Sequence, residues 1–158
     1  VGNFRAFYQK QRDRLFAYLM RSTGDYHRSS DILQESFTRY LEKYGNQEAN
    51  TALLYTIARN AVVDGHRKQG REIPLSGERA HPQYNPETRT VVREEYRRVL
   101  AAMQELAPEE REALSLVVSS GLSYREIARI SGTSEGNVKV RVHRARVKLR
   151  KMMNTDEK

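Results

Sequence analysis

Apolar residues recur at helical spacing along most of this chain, and nowhere do they alternate as a half-buried strand requires. Phe4, Phe7, Tyr8, Leu15, Tyr18 and Leu19 fit one face of a first helix that ends near Ser22-Thr23-Gly24. The spacing predicts a second helix from about Ser30 to Tyr44, with Leu33, Phe37, Tyr40, Leu41 and Tyr44 as its buried stripe. Asp31 and Gln34 offer that helix an N-terminal capping pair. A polar loop, Gly45 to Asn50, leads to a third helix over about Thr51 to Lys68, where Leu54, Ile57, Ala58, Ala61, Val62 and Gly65 share a face. Gly70 to Thr88 then holds all but one of the prolines and no helical period, so it reads as a linker. Helical spacing resumes from Val91 to Leu106 through Val92, Tyr96, Val99, Leu100 and Met103. Pro108 opens a further helix with acidic residues in its first turn, and Gly121 ends it.

From Gly121 to Met152 the pattern becomes more specific. Ser123 caps a short helix, and Glu126 three residues on completes a capping box. Ile127, Ala128 and Ile130 form its apolar side. Gly132 supplies the positive φ that a tight helix-to-helix turn often needs. Ser134 caps a second helix, in which Val138, Val142, Ala145, Leu149 and Met152 recur at steps of four, three, four and three. Around that stripe lie Asn137, Lys139, Arg141, His143, Arg144, Arg146, Lys148, Arg150 and Lys151. A helix buried on one side and cationic elsewhere suits a groove lined with phosphates. The pattern predicts a helix-turn-helix.

Composition narrows the picture. Charged residues are 30% of the 158 and the mean hydropathy is −0.79, so apolar material for one large core is scarce. The expected fold is all-α, with two small helical domains at 1–69 and 90–158 joined by a flexible linker at 70–89, the C-terminal one a helix-turn-helix domain. A formal charge of +8 favours an anionic partner. There is no cysteine, and the four histidines lie in different segments without ligand spacing, so neither a metal nor another cofactor is expected. No run approaches the ~18 apolar residues of a membrane span. VGNFRAFYQKQRDR lacks the apolar centre of a secretory signal, so a soluble, cytoplasmic protein without membrane insertion is expected.

Two polar clusters stand out. Asp31, Glu35, Thr38 and Glu42 line one side of the second helix, an acidic strip in a basic protein that is either a docking face or plain solvated surface. On the third helix Thr56, Arg59, Asn60, Val63, His66 and Arg67 share the outer face, and Asn60, Asp64 and Arg67 stand at i, i+4 and i+7. They form either a nucleic-acid contact or a surface ion-pair cluster worth little.

LAPEEREALSLVVSSGLSYREIARISGTSEGNVKVRVHRARVKLR resembles the C-terminal domain of the extracytoplasmic-function (ECF) group of sigma-70 family initiation factors. DILQESFTRYLEKY followed by LLYTIARNAVVDGHRK resembles their N-terminal promoter-binding domain. The resemblance covers nearly the whole chain, with both motifs in order. It implies a non-catalytic bacterial RNA polymerase subunit that directs promoter-specific initiation. Asp31, Gln34 and Glu35 match positions that dock on the clamp helices of the largest polymerase subunit. Arg59, Asn60, Asp64, His66 and Arg67 fall on the helix that engages the −10 element as an opened strand, with Asn46 to Asn50 as the neighbouring loop. Unstacking a base there costs a few kcal/mol.

For the −35 element the resemblance implies Ser134, Asn137, Lys139, Val140, Arg141, Arg144 and Lys148. Asn137 and Val140 would read bases, and the cations would position the helix on phosphate. Leu53 stands where many relatives carry Trp, and Val140 where Ser is common. An anti-sigma protein covering both domains is the usual regulator of such factors. Two other classes compete on sequence alone. A helix-turn-helix repressor needs a dimerisation surface or ligand pocket in the N-terminal half, which instead offers helices with polar outer faces. A metal-dependent nuclease needs converging carboxylates, and here they are scattered.

Overall fold

The computed structural model describes residues 2–71 and 91–156, with side chains for 3–65 and 93–154. Every described element is a helix: α1 (Gly2–Thr23), α2 (Tyr26–Tyr44), α3 (Thr51–Arg71), α4 (Val91–Gln104), α5 (Pro108–Ser119), α6 (Tyr124–Ser131) and α7 (Glu135–Asp156). The all-α expectation holds, and helices α5 to α7 match it nearly residue for residue. Helix α3 runs past the expected boundary at 69, and residues 72–90, most of the expected linker, lie outside the described residues.

Helix α2 begins four residues earlier than its apolar pattern suggests. Gly24 takes a positive φ of 66°, and Asp25 is extended and accepts a hydrogen bond from the Arg28 backbone N–H at 3.1 Å. Asp25 is therefore the cap, not the Asp31–Gln34 pair. Tyr26 and His27 are exposed, so the first turn carries no apolar signal to read. The buried face is also rotated from the expected stripe. Leu41 is 46% exposed, whereas Ile32, Ser29 and Ser36 are buried with Phe37 and Tyr40. The Ser29 hydroxyl is bonded to Thr23 Oγ1 of α1 at 2.7 Å. Aromatic pairs then fill the α1–α2 contact: Phe7 stacks on Tyr40 with centroids 5.1 Å apart, and Tyr8 meets Phe37 edge-on at 4.7 Å.

Asn50 caps α3, its Oδ1 accepting from Leu53 N at 3.2 Å, while the Asn50 N–H donates to Tyr40 Oη at 2.9 Å. Helix α2 is tied to α3 by Arg28, whose Nη2 donates to the Val62 carbonyl at 3.0 Å. Burial lowers the Arg28 pKa, and nearby Asp25 opposes that shift. In the other group, Leu106, Ala113, Leu116, Ile127, Val138, Val142 and Ala145 are buried together where α5 and α6 pack on α7. Arg111 Nη1 donates to the carbonyls of Gln104 (3.3 Å) and Leu106 (3.5 Å) at the end of α4. The Gln104 carbonyl, the last of α4, has no partner within the helix.

The two helical groups are not held apart. Helix α1 packs on α4 and α5 as well as on α2 and α3, and α3 touches α6. The buried residues form one continuous cluster from Phe7 to Ala145. The two helical domains expected from sequence are both present, and in the structure one packs on the other. The physical reason is the shortage of apolar residues: each group alone leaves a face uncovered, and the cheapest cover is the other group. No described helix is long and apolar enough to cross a membrane.

Gly65 explains how Arg28 reaches α3, since a Cβ at this position would lie 2.1 Å from Arg28 Nη2. Alanine in a helix is normally favoured over glycine by ~1 kcal/mol. Gly65→Ala is expected to reverse that sign and destabilise by ~1 kcal/mol, because the guanidinium loses the Val62 carbonyl. In an Arg28→Ala background the same change should stabilise. Urea unfolding of the four chains tests this, and additive effects would refute it.

Candidate nucleic-acid interface

The turn between α6 and α7 is built as its residues suggest. Ser123 Oγ accepts from Glu126 N at 3.1 Å and Ser123 N donates to Glu126 Oε1 at 3.3 Å, so both halves of the capping box are present. Gly132 has φ 67° and ψ 38°, the left-handed conformation, and its N–H closes the end of α6. Ser134 Oγ then accepts from Asn137 N at 3.1 Å, starting α7. Val138, Val142 and Ala145 are at most 2% exposed, so the apolar stripe anchors α7 and fixes which side faces outward.

That outward side begins with Asn137, Lys139 and Val140, all exposed, and continues with Arg144. Arg141 is half-buried on the flank. Asn137 Nδ2 donates to Thr133 Oγ1 at 3.0 Å, which holds the amide in one orientation before any partner arrives. Lys139 Nζ sits 5.9 Å from the centre of the Tyr124 ring. Thr133 and Tyr124 are supports that the sequence reading missed, although Thr133 and Asn137 stand at a readable i, i+4 spacing. Helix α7 carries seven Lys or Arg against two acidic residues, an excess that favours a polyanion.

Lys148 behaves differently from its neighbours. Its Nζ lies 2.6 Å from Glu110 Oε1, and the Glu110 side chain is only 9% exposed. The pair ties α7 to α5, while half of the Lys148 side chain stays exposed. The other groups fall as follows. On α2, Asp31, Gln34 and Glu35 are all exposed, and Glu35 is paired with Arg39 at 2.6 Å. Beside them Phe4, Tyr8, Leu33, Phe37 and Leu41 line an apolar groove between α1 and α2.

On α3, Asn60 and Asp64 are exposed, while the side chains of His66 and Arg67 lie outside the described residues. Arg59 Nη1 is 3.4 Å from Asn60 Oδ1, and its Nε pairs with Glu112 of α5 at 2.5 Å. Sequence gave no sign of that partner, since Glu112 looks like any residue in an acidic helix start. Among the described residues no three His, Asp or Glu side chains converge as a metal site would require. Asn46 to Asn50 are exposed in the turn after α2.

Comparison with known proteins agrees with this arrangement at both ends. Sigma-70 region 2 matches residues 7–72, and Sigma-70, region 4 matches residues 96–149. The ECF RNA polymerase sigma factor EcfG of Rhodopseudomonas palustris is 32% identical over 145 residues, 90% of this chain and 80% of that protein. SigM of Bacillus subtilis, also an ECF RNA polymerase sigma factor, is 31% identical over 152 residues, 93% of each chain. Among solved structures, the sigma factor RpoE in complex with the anti-sigma factor NepR from Bartonella quintana is 26% identical with a TM-score of 0.80, covering 99% of both chains. CnrH in complex with the cytosolic domain of CnrY has a TM-score of 0.69 over 97% of this chain and 88% of its own, at 24% identity, a likeness of fold alone. With relatives matched nearly end to end and both sigma regions in order, the chain belongs to the ECF group of RNA polymerase sigma factors in the sigma-70 family.

Proposed function

We propose that this sigma factor binds core RNA polymerase through Asp31, Gln34 and Glu35. It would take the −10 strand on Arg59, Asn60, Asp64, His66 and Arg67, and read the −35 element with α7. The working division is residues 1–69 for polymerase and −10 binding, 70–89 as tether and 90–158 for −35 binding. It performs no catalysis of its own, works in the cytoplasm beside the polymerase, and is restrained by an anti-sigma protein. The likeness to a sigma factor solved with NepR supports the last point. One observation carries the reading: α7 presents an amide already oriented by Thr133, followed by exposed cations, on a helix whose other side is fully anchored. Asn137 and Val140 in the first turns suit base edges, and Lys139, Arg141 and Arg144 suit phosphates.

The direct test is run-off transcription. Sigma-free core polymerase plus the full chain should start RNA at defined sites in a genomic library, and initiation no better than core alone rejects the proposal.

The cations of α7 should divide into two kinds. Arg144→Ala is expected to flatten the salt dependence of −35 duplex binding by about one unit of slope, the loss of one phosphate contact. Lys148→Ala should leave the slope unchanged and instead lower stability by ~1 kcal/mol, because Glu110 loses its partner. Anisotropy titrations over a range of salt, with thermal melts of the same chains, separate the two. Equal slope changes would show that Lys148 leaves Glu110 for phosphate.

Val140 is 44% exposed and offers methyl groups where Ser is common in relatives. Its contact with a thymine methyl should make Val140→Ser reduce the preference for T at one upstream base by about fivefold, on the order of 1 kcal/mol. Holoenzyme binding to duplexes altered at each upstream base checks this, and an unchanged profile removes Val140 from base reading.

A further inference from the structure

Resting on the reading of α7 above, we propose that the base Asn137 recognises in the −35 element is an adenine, and that Thr133 is the positioning residue that sets the Asn137 amide for it.

The chemistry of the first turns of α7 selects the base. Across Glu135 to Val140, Asn137 is the neutral side chain that carries both a donor and an acceptor. In the major groove adenine offers the N6 amino group as donor and N7 as acceptor, a pair that one carboxamide meets with two hydrogen bonds. Guanine presents two acceptors, which sets Asn137 Oδ1 against O6. Cytosine presents a donor and thymine an acceptor, so each takes one bond from the amide.

Two bonds to a base require the amide to face it in one sense, and the structure supplies that constraint. Asn137 Nδ2 donates to Thr133 Oγ1 at 3.0 Å, which uses one hydrogen and leaves Oδ1 and the second Nδ2 hydrogen to meet a base. The main chain of Asn137 is fixed separately, its N–H donating to Ser134 Oγ at 3.1 Å. Thr133 is anchored from the other side of the turn. Its N–H donates to the carbonyl of Ala128, a buried residue of α6, at 3.0 Å. Thr133 therefore joins the end of α6 to the reading residue of α7. It is half-buried and Asn137 is exposed, so Asn137 is the member of the pair open to a partner. A side chain ordered before contact loses less entropy on binding.

The turn is also bare beside Asn137. Gly136 is exposed, and a Cβ there would meet only Ser134 Oγ, at 4.0 Å. Internal packing does not ask for glycine here, and a helix disfavours it against alanine. A partner whose surface comes close to this turn does ask for it.

Holoenzyme binding to duplexes carrying each base at each upstream position is the test. Wild type should prefer adenine at one position by about tenfold. Asn137→Ala should cut that preference to about twofold or less, because both base contacts go. Thr133→Val keeps the shape of the side chain and removes the hydroxyl, and it should cut the preference about threefold. Thr133→Ser should restore it. A merely loosened fold would weaken every duplex alike and leave the profile in place. Thr133→Ala replaces Thr133→Val should the latter lose helix content by circular dichroism. No adenine preference, or one that survives Asn137→Ala, overturns the base assignment. A profile that Thr133→Val leaves intact, or that Thr133→Ser fails to restore, overturns the positioning role.

The bond can also be followed without DNA. In the full chain the Asn137 side-chain nitrogen should show an order parameter above ~0.7, falling below ~0.6 in Thr133→Val. Equal values in the two chains count against Thr133. Gly136→Ala should raise Tm and yet weaken binding to every duplex, and unchanged binding removes close approach at this turn. Failure of the wild-type holoenzyme to start RNA at any defined site sinks the sigma reading instead, whatever the amide does.

Discussion

The C-terminal half of α1 has neighbours on two sides, α2 and α3 on one and α4 and α5 on the other. Leu15 and Leu19 are fully covered and Tyr18 and Met20 nearly so, which no single neighbour could achieve. A chain this poor in apolar residues can complete its core only by sharing one helix between two layers. Toward α2 the contact is made by aromatic rings. Toward α5, at the seam between the two helical groups, the buried apolar cluster continues and polar ties join it: Arg21 Nη1 donates to Ser119 Oγ, and Tyr55 Oη of α3 donates to the Ser119 carbonyl.

Burial at the seam shows in the ionisable groups as well. Burial raises the Tyr55 pKa, with Arg14 and Arg21 opposing the shift. Tyr18 is raised by burial first and then by the negative charge of Glu112. Raised phenol pKa values mean that this part of the fold is fully stabilised below the ordinary tyrosine pKa of ~10 and weakens as pH climbs beyond it. Near neutrality both phenols are uncharged, and Arg59 and Glu112 bring an ion pair to the same place, with Glu109 and Arg111 lining a cleft beside them.

Much of the local structure was legible because its causes are local. Ser123 with Glu126, Gly132 and Ser134 each act on residues within four positions, and the α7 stripe follows from helical period alone. Legibility failed where the cause was distant. The start of α2 depends on Asp25 and Gly24, which precede any apolar periodicity. Leu41 is exposed while Ser29 and Ser36 are buried on the same helix, and a serine gives no periodic signal for burial. Lys148 looked like its basic neighbours because nothing near it in sequence points to Glu110, 38 positions away. Arg59 and Glu112 are 53 positions apart, and only the packing of α3 against the other group brings them together. The family resemblance supplied roles for Arg59 and Lys148 but not the partners they hold.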